Sequence, residues 1–230
     1  MKKKQILIVK TGTTNPPVVE KYGDYDDWFK ATLSDFPIEW HIVAPYRNDS
    51  LPNSVPFDGV LITGSPSSTW ENEPWMQRIV MWLSHLIQEQ STPLLTVCFG
   101  HQLLGQALGG TVIVNPKGIE VGSIDVQLTQ QAQSDPLFAN LPSALQVYSI
   151  HKDIIIDLPF SNQITQLGST SNTDLQALAV GPMIRSVQFH PELSYDSLSE
   201  LLHAREIEAQ LSDTNHGPKI LQNWFRHWIA

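Results

Sequence analysis

The sequence contains a single cysteine, Cys98, among its 230 residues. One thiol excludes an internal disulfide framework and a zinc site built from several cysteines, and this scarcity favours a reducing compartment. Long apolar runs are absent as well. The basic start of the chain, MKKKQILIVK, has too few apolar residues for a signal peptide or a membrane span. We therefore predict a cytoplasmic protein whose solvated N-terminus leads into a buried strand.

Positive charge is also scarce. The chain has 14 lysine and arginine residues against 23 aspartate and glutamate residues, and its formal charge is −9. Its longest basic run is the lysine triplet at positions 2–4, so binding to nucleic acid is disfavoured. Hydrophobic residues make up 41% of the chain and charged residues 16%, which is typical of a globular protein with a sizeable core. We predict no metal and no cofactor.

The apolar segments alternate between short β-branched stretches and longer stretches with helical spacing. This pattern predicts a single α/β domain, residues 1–230, with a mostly parallel central sheet between two layers of helices. Beyond residue 110 several strands follow one another too closely for crossover helices, so antiparallel strands are expected to extend the sheet. The predicted strands are Gln5–Val9, Ile38–Val43, Gly59–Thr63, Leu94–Val97, Thr111–Val114, Ser123–Leu128, Leu145–Ile150, Ile164–Gly168, Leu175–Ala179 and Ile184–Phe189. The predicted helices are 18–35, starting afresh at Gly23-Asp24, then 74–90, Phe99–Leu108, Asp196–Leu211 and Lys219–Ile229.

Cys98 lies where a predicted strand turns into a predicted helix, within LLTVCFGHQLLGQALGG at residues 94–110. A sharp strand-to-helix turn exposes its central side chain above the sheet, and Gly100 allows the close backbone approach that such a turn needs. The helix directs its free N–H groups toward the thiol, which favours the thiolate. Free cysteines are, however, often inert core residues, so a reactive role depends on a suitable base.

The segment SVQFHPELS supplies a histidine and a carboxylate two residues apart, His190 and Glu192. At the end of a strand this spacing points both side chains to the same face, where the carboxylate can orient the imidazole. Cys98, the turn Thr63-Gly64-Ser65 and His190 all follow predicted strands, and ligands of α/β sheets bind beyond the carboxyl ends of the strands. His101 is expected to pack rather than react, whereas His151 is a candidate for lining the cleft.

The motifs VCFGHQLLGQALGG, GSPSS and QFHPE, in this order and spacing, resemble those of the class I glutamine amidotransferase family. YGDYDDWF, NPKGIEVG and IHKDIIIDLP extend the likeness to its stand-alone bacterial members, which are related to γ-glutamyl peptidases. The resemblance implies a flavodoxin-like α/β fold and cleavage of a γ-glutamyl amide through a thioester, with water releasing glutamate. It implies catalysis by Cys98, His190 and Glu192, an oxyanion hole formed by the backbone amides of Ser65 and Phe99, and substrate binding by Gly64, Gln102, Ile150 and His151.

Three positions depart from the family pattern. Thr96 stands where family members usually have glycine two residues before the cysteine, and Ser65 replaces the second glycine of the oxyanion loop. Both side chains are expected to crowd or stiffen the site. Ile150 takes the place of a serine. Trp70 and the segment Tyr22–Trp28 are candidates for the rim of the cleft, with core packing equally open.

Two functions remain open at this stage, because no acceptor-activating domain follows in the chain. The first is hydrolysis of glutamine or another small-molecule γ-glutamyl compound, with ammonia either released or passed to a separate synthetase. The second is a catalytically weak or silent subunit that binds such a synthetase. A homodimer is left open. A cysteine peptidase with histidine directly after the nucleophile is disfavoured by Phe99, and a zinc deaminase is rejected because it needs a Cys-x-x-Cys motif.

Overall fold

The structure, a computed structural model, describes residues 2–159 and 161–230. Met1, the first residue of the predicted solvated N-terminus, lies outside this range. The helices are α1 (Pro16–Tyr22), α2 (Tyr25–Thr32), α3 (Pro74–Glu89), α4 (Phe99–Ala107), α5 (Tyr195–Ala204) and α6 (Gly217–Trp224). The strands are β1 (Lys4–Val9), β2 (Ile38–Val43), β3 (Gly59–Ile62), β4 (Leu94–Val97), β5 (Thr111–Val114), β6 (Glu120–Leu128), β7 (Ala144–His151), β8 (Asp153–Ile156), β9 (Ile164–Ser169), β10 (Ala177–Val180) and β11 (Ile184–Val187).

Nine of these strands form one mixed sheet in the order β2-β1-β3-β4-β11-β10-β9-β6-β7. The five strands from β2 to β11 are parallel to one another, and the remaining four are added antiparallel. The predicted α/β fold with antiparallel additions is therefore confirmed. Because β3, β4 and β11 are adjacent and parallel, their carboxyl ends lie side by side at one edge of the sheet.

Helices cover both faces of the sheet because its inner strands carry apolar side chains on both faces. In β1, Ile6 and Ile8 pack with α2 and α6 on one face, whereas Leu7 and Val9 pack with α3 and α4 on the other. The predicted restart at Gly23-Asp24 is confirmed, since Asp24 caps α2 with a reciprocal capping box. None of the described helices is long and apolar enough to cross a membrane.

The second half of the chain corrects two predictions about its strands. The predicted strand Thr111–Val114 exists, but it pairs with β8 in a separate two-stranded ribbon instead of extending the main sheet. The strand β8 was not predicted. Its sequence DIII follows β7 after the single residue Lys152 and falls between the predicted strands Leu145–Ile150 and Ile164–Gly168, where no element was predicted.

The two C-terminal helices also differ from prediction. The helix predicted to run from Asp196 to Leu211 ends at Ala204, and Glu206 has a positive φ of 55° that breaks the helical path. Beyond it, side chains two residues apart, from Ile207 to Leu211, pack onto the core, which is the period of extended chain. The final helix starts at Gly217 and continues through a wider π-helical turn over 225–229.

Candidate active site

Cys98 occupies a strained turn between β4 and α4. Its φ of 50° and ψ of −103° are unusual for a residue with a side chain, and its amide donates to the carbonyl oxygen of Val187 at 2.9 Å. A Cβ atom at Gly100 would lie 2.9 Å from the carbonyl oxygen of Ile62, so only glycine fits there without movement. The predicted elbow at the strand-to-helix junction is therefore present.

His190 and Glu192 follow β11, which neighbours the strand that carries Cys98. The Nδ1–H group of His190 donates to Oε1 of Glu192 at 2.7 Å, and both side chains are buried. This bond leaves Nε2 for the thiol of Cys98. The structure thus brings the three predicted catalytic side chains together.

The charges around His190 favour its protonated form. Burial by itself lowers the pKa of His190, but the negative charges of Glu192 and of the Cys98 thiolate, with hydrogen bonds to both, raise it to about 10. A protonated imidazole next to a thiolate stabilises that thiolate in turn. The arrangement therefore places a proton donor beside the sulfur of Cys98.

The predicted oxyanion loop, GSPSS at residues 64–68, lies against the turn after β1. The Oγ–H group of Ser65 donates to the carbonyl oxygen of Thr11 at 2.9 Å, and the carbonyl oxygen of Gly64 accepts the hydroxyl of Thr11 at 2.8 Å. A Cβ atom at Gly64 would lie 2.9 Å from Cε1 of His190, so a side chain at this position would displace the imidazole. Ser65 therefore braces the loop through its hydroxyl.

A cavity of about 250 Å³ opens above Cys98. Phe99 lies at the first position of α4, where the backbone N–H has no acceptor within the helix, and both Phe99 and Ser65 line the cavity. Among the described residues, the amide of Ser65 has no acceptor either. The two amides predicted to form the oxyanion hole thus lie where they are available to a ligand.

Three of the four predicted substrate-binding residues line this cavity: Gln102, Ile150 and His151. Gly64 is not among its lining residues and lies next to the imidazole of His190. The side-chain amide of Gln102 donates to the carbonyl oxygen of Asp153 at 3.1 Å, which ties α4 to β8. His151 is buried, and its Nε2 lies 3.0 Å from Oε2 of Glu120, so this histidine forms a second histidine–carboxylate pair behind the cavity wall.

Thr96 is accommodated by a chain of hydrogen bonds. Its hydroxyl lies 2.5 Å from that of Ser186, which lies 2.6 Å from Nδ1 of His101, and Nε2 of His101 lies 3.0 Å from the carbonyl oxygen of Leu175. Burial lowers the pKa of His101 to about 3, so this imidazole is neutral. A carbonyl only accepts, so Nε2 carries the proton, Ser186 donates to Nδ1, and Thr96 donates to Ser186. The expected crowding is thus replaced by a link between β4, β11 and α4.

Three residues that sequence reasoning missed also line the cavity: Lys152, Asp153 and Arg205. Among the described residues, neither cation has a carboxylate within 4.0 Å. Oδ1 of Asp153 is buried without a hydrogen-bond partner. The segment IHKD gave a signal for Lys152 and Asp153, because it leads into the cleft. No sequence pattern pointed to Arg205, because the position of its side chain depends on where α5 ends.

The chain is similar in sequence to several known proteins. The family model described as glutamine amidotransferase class-I matches residues 18–207. A glutamine amidotransferase-like protein of Schizosaccharomyces pombe is 28% identical over 213 residues, 86% of this chain and 82% of that protein. Gamma-glutamyl peptidase 5 of Arabidopsis thaliana is 23% identical over 90% of this chain and 83% of its own length. One subunit of the glutamine-hydrolysing GMP synthase of Natronomonas pharaonis is 27% identical over 80% of this chain and 90% of its own length.

A solved structure supports the same fold. The crystal structure of a glutamine amidotransferase from Methylobacillus flagellatus superposes with a TM-score of 0.76, covers 99% of this chain and 95% of its own, and is 17% identical. The family match spans most of the chain and includes the turn at Cys98 and the pair His190 and Glu192. The chain belongs to the class I glutamine amidotransferase family.

Proposed function

We propose that this protein hydrolyses a γ-glutamyl amide through a γ-glutamyl thioester on Cys98. The observation that carries the proposal is the buried set of Cys98 in a strained turn, His190 with a pKa raised to about 10, and Glu192 at 2.7 Å from its imidazole. A core cysteine has no need of a positively charged partner. A nucleophile does, because the imidazolium stabilises the thiolate and supplies a proton to the leaving group.

In the first step the thiolate of Cys98 attacks the carbonyl carbon of the γ-amide. The carbonyl oxygen becomes negative and accepts hydrogen bonds from the amides of Ser65 and Phe99. His190 gives its proton to the amide nitrogen, the C–N bond breaks, and ammonia or an amine leaves. The γ-glutamyl group stays bound to sulfur.

In the second step water attacks the thioester. His190, now neutral, takes a proton from this water, the C–S bond breaks, and glutamate is released. The imidazolium and the thiolate are restored, so the cycle consumes one water for each amide bond. Glu192 is a positioning residue, since it holds the imidazole and favours its protonated form without touching the reacting carbonyl.

The charged groups of the cavity fit the α-carbon end of a γ-glutamyl group. The guanidinium of Arg205 donates through Nε to Oδ1 of Asn15 at 3.3 Å, which helps to hold it in place without neutralising it. We assign it to the α-carboxylate of the substrate. The carboxylate of Asp153, whose Oδ1 has no partner, is assigned to the α-ammonium group.

A second candidate follows from the relative in the GMP synthase: the protein serves as an ammonia-producing or silent subunit of a separate synthetase. A silent subunit has no use for the three catalytic side chains. An ammonia-producing subunit keeps them, but it hydrolyses glutamine faster when its synthetase is present.

The test is to incubate the protein with glutamine and a panel of γ-glutamyl peptides, and to measure glutamate and ammonia separately. We expect glutamate from at least one substrate and a Cys98 adduct one γ-glutamyl group heavier by mass spectrometry. Cys98→Ala should abolish turnover while unfolding like the wild type, and His190→Asn should abolish turnover as well. His85→Asn is the matched control, since His85 is an exposed histidine on α3 paired with Glu89.

Retained activity in Cys98→Ala would remove the thiol from the mechanism. Failure to form the adduct, together with a thiol alkylated no faster than free cysteine, would instead favour the silent subunit.

A further inference from the structure

The mouth of the cavity carries a positive charge and apolar surface that the γ-glutamyl group itself does not use. Lys152 lies between β7 and β8, where His151 and Asp153 on either side turn inward and Lys152 is exposed. Its Nζ lies 5.8 Å from the ring centroid of Trp70. Ile119 lines the same cavity as Lys152. We call Lys152, Trp70 and Ile119 the outer rim.

Two members of the outer rim expose large apolar side chains. Trp70 is 60% exposed and Ile119 is 47% exposed. Single exposed apolar residues are ordinary on protein surfaces. Here they adjoin a catalytic cavity and an ammonium group. The face of the indole ring attracts that ammonium group, and the N–H donors of Lys152 stay available to a ligand.

The charges of the cavity exceed what glutamine can pair. Free glutamine carries one carboxylate and one ammonium group, which Arg205 and Asp153 accommodate under the proposed function. Lys152 is then left over, and no carboxylate of the described residues lies within 4.0 Å of it. A substrate with a second carboxylate on its leaving group would match the set.

We propose that the outer rim binds the leaving group of a γ-glutamyl amino acid or peptide. Lys152 pairs with the carboxylate of the departing amino acid, and Trp70 and Ile119 contact its apolar side chain. This inference rests on the proposed function and adds the class of leaving group to it. In the acylation step the departing nitrogen takes the proton of His190 and the C–N bond breaks, so a free amino acid or peptide leaves past the outer rim while the γ-glutamyl group remains on Cys98 as a thioester.

The test compares two substrates that differ only in the charge of the leaving group, γ-glutamyl-leucine and γ-glutamyl-leucinamide. We expect the wild type to prefer the free acid by about 10-fold in kcat/KM, the scale of one charge-assisted hydrogen bond at a partly exposed site. Higher salt should reduce this preference, because it screens the pair. Lys152→Met should bring the ratio close to one.

Lys117→Met is the matched control. Lys117 is a lysine of the nearby loop, but its Nζ donates to the carbonyl oxygen of Ser171 at 2.7 Å. This variant loses the same charge from the same region and should keep the preference for the free acid. Trp70→Ala tests the apolar contact and should raise KM for γ-glutamyl-leucine several-fold more than KM for γ-glutamyl-glycine.

The outcomes separate this inference from the function on which it rests. If the wild type forms the Cys98 adduct and cleaves acid and amide equally, the outer rim is overturned and the proposed function stands. A preference that survives in Lys152→Met overturns it as well. If no γ-glutamyl compound yields glutamate or an adduct, the proposed function fails, and the assignment of a leaving group fails with it.

Discussion

Replacing Ser186 by alanine removes the middle member of the chain that runs from Thr96 to His101. The Thr96 hydroxyl then loses its acceptor and Nδ1 of His101 loses its donor, and both groups are fully buried. A buried polar group left without a partner costs about 1–3 kcal/mol, so two of them cost about 3 kcal/mol or more in the free energy of unfolding.

Replacing Thr96 by valine has a smaller expected cost. Valine keeps the shape of threonine and removes only the hydroxyl that donates to Ser186, while Ser186 still donates to His101. No donor is stranded, so the cost is about 1 kcal/mol, the net value of one hydrogen bond. The Thr96→Val/Ser186→Ala double variant has one orphaned group instead of two. It should therefore be about 1–2 kcal/mol more stable than the sum of the single effects predicts.

Urea unfolding of the four proteins measures these differences, provided that the slope m is the same in each. Two results would refute the deduced direction of the hydrogen bonds. One is a double variant whose cost equals the sum of the two single costs to within about 0.5 kcal/mol. The other is a Ser186→Ala variant that is no less stable than Thr96→Val. Thr96→Gly introduces the residue typical of the family and offers a further check. If Thr96 crowded the site, this variant would gain activity, whereas we expect it to lose stability without such a gain.

Two further predictions concern the elbow and its base. In Cys98→Ala the pKa of His190, followed by NMR titration, should stay above 6.5 because Glu192 is still present. Adding Glu192→Gln should move this pKa below 6.5, because burial then dominates. An unchanged pKa in the double variant would contradict the assignment to Glu192. In Cys98→Ala alone, the contribution of His190 to the free energy of unfolding is complete below pH 6.5. It is lost as the pH rises through the pKa of His190 in the folded state, because the folded chain retains the proton to higher pH than the unfolded chain. Gly100→Ala should lower both the unfolding midpoint and the rate of Cys98 alkylation, because the added Cβ would meet the Ile62 carbonyl oxygen at 2.9 Å. Wild-type values of both would show that the turn tolerates a side chain at this position.

Most of the fold was predictable because its signals are local. The buried parallel strands are short apolar runs in the sequence, and α4 is bounded by Cys98 and Gly109. The three motifs each follow a predicted strand, and the carboxyl ends of those strands do lie next to one another. The misses occurred where local signals were weak. The strand β8 is separated from β7 by one residue, and the chain after α5 changes from helix to an extended path that its packing against β6 decides.

The catalytic candidates show the same division. His190 and Glu192 were found together because they are two residues apart, and Cys98 because its elbow is a local turn. Ser65 and Thr96 were expected to disturb the site, since sequence shows the size of a side chain but not its partner. Their hydroxyls are satisfied by Thr11 and by Ser186.

The sequence alone determined the α/β class, the order of the motifs and the identity of the chemically able side chains. These depend on spacing within a strand, a turn or a helix. The tertiary structure decided which distant groups meet: Thr96 and Ser186 are 90 residues apart in the chain, and Nζ of Lys152 lies 5.8 Å from the ring centroid of Trp70. Such pairs leave no periodic trace in the sequence, because the folded sheet and its loops, and not neighbouring residues, bring them into contact.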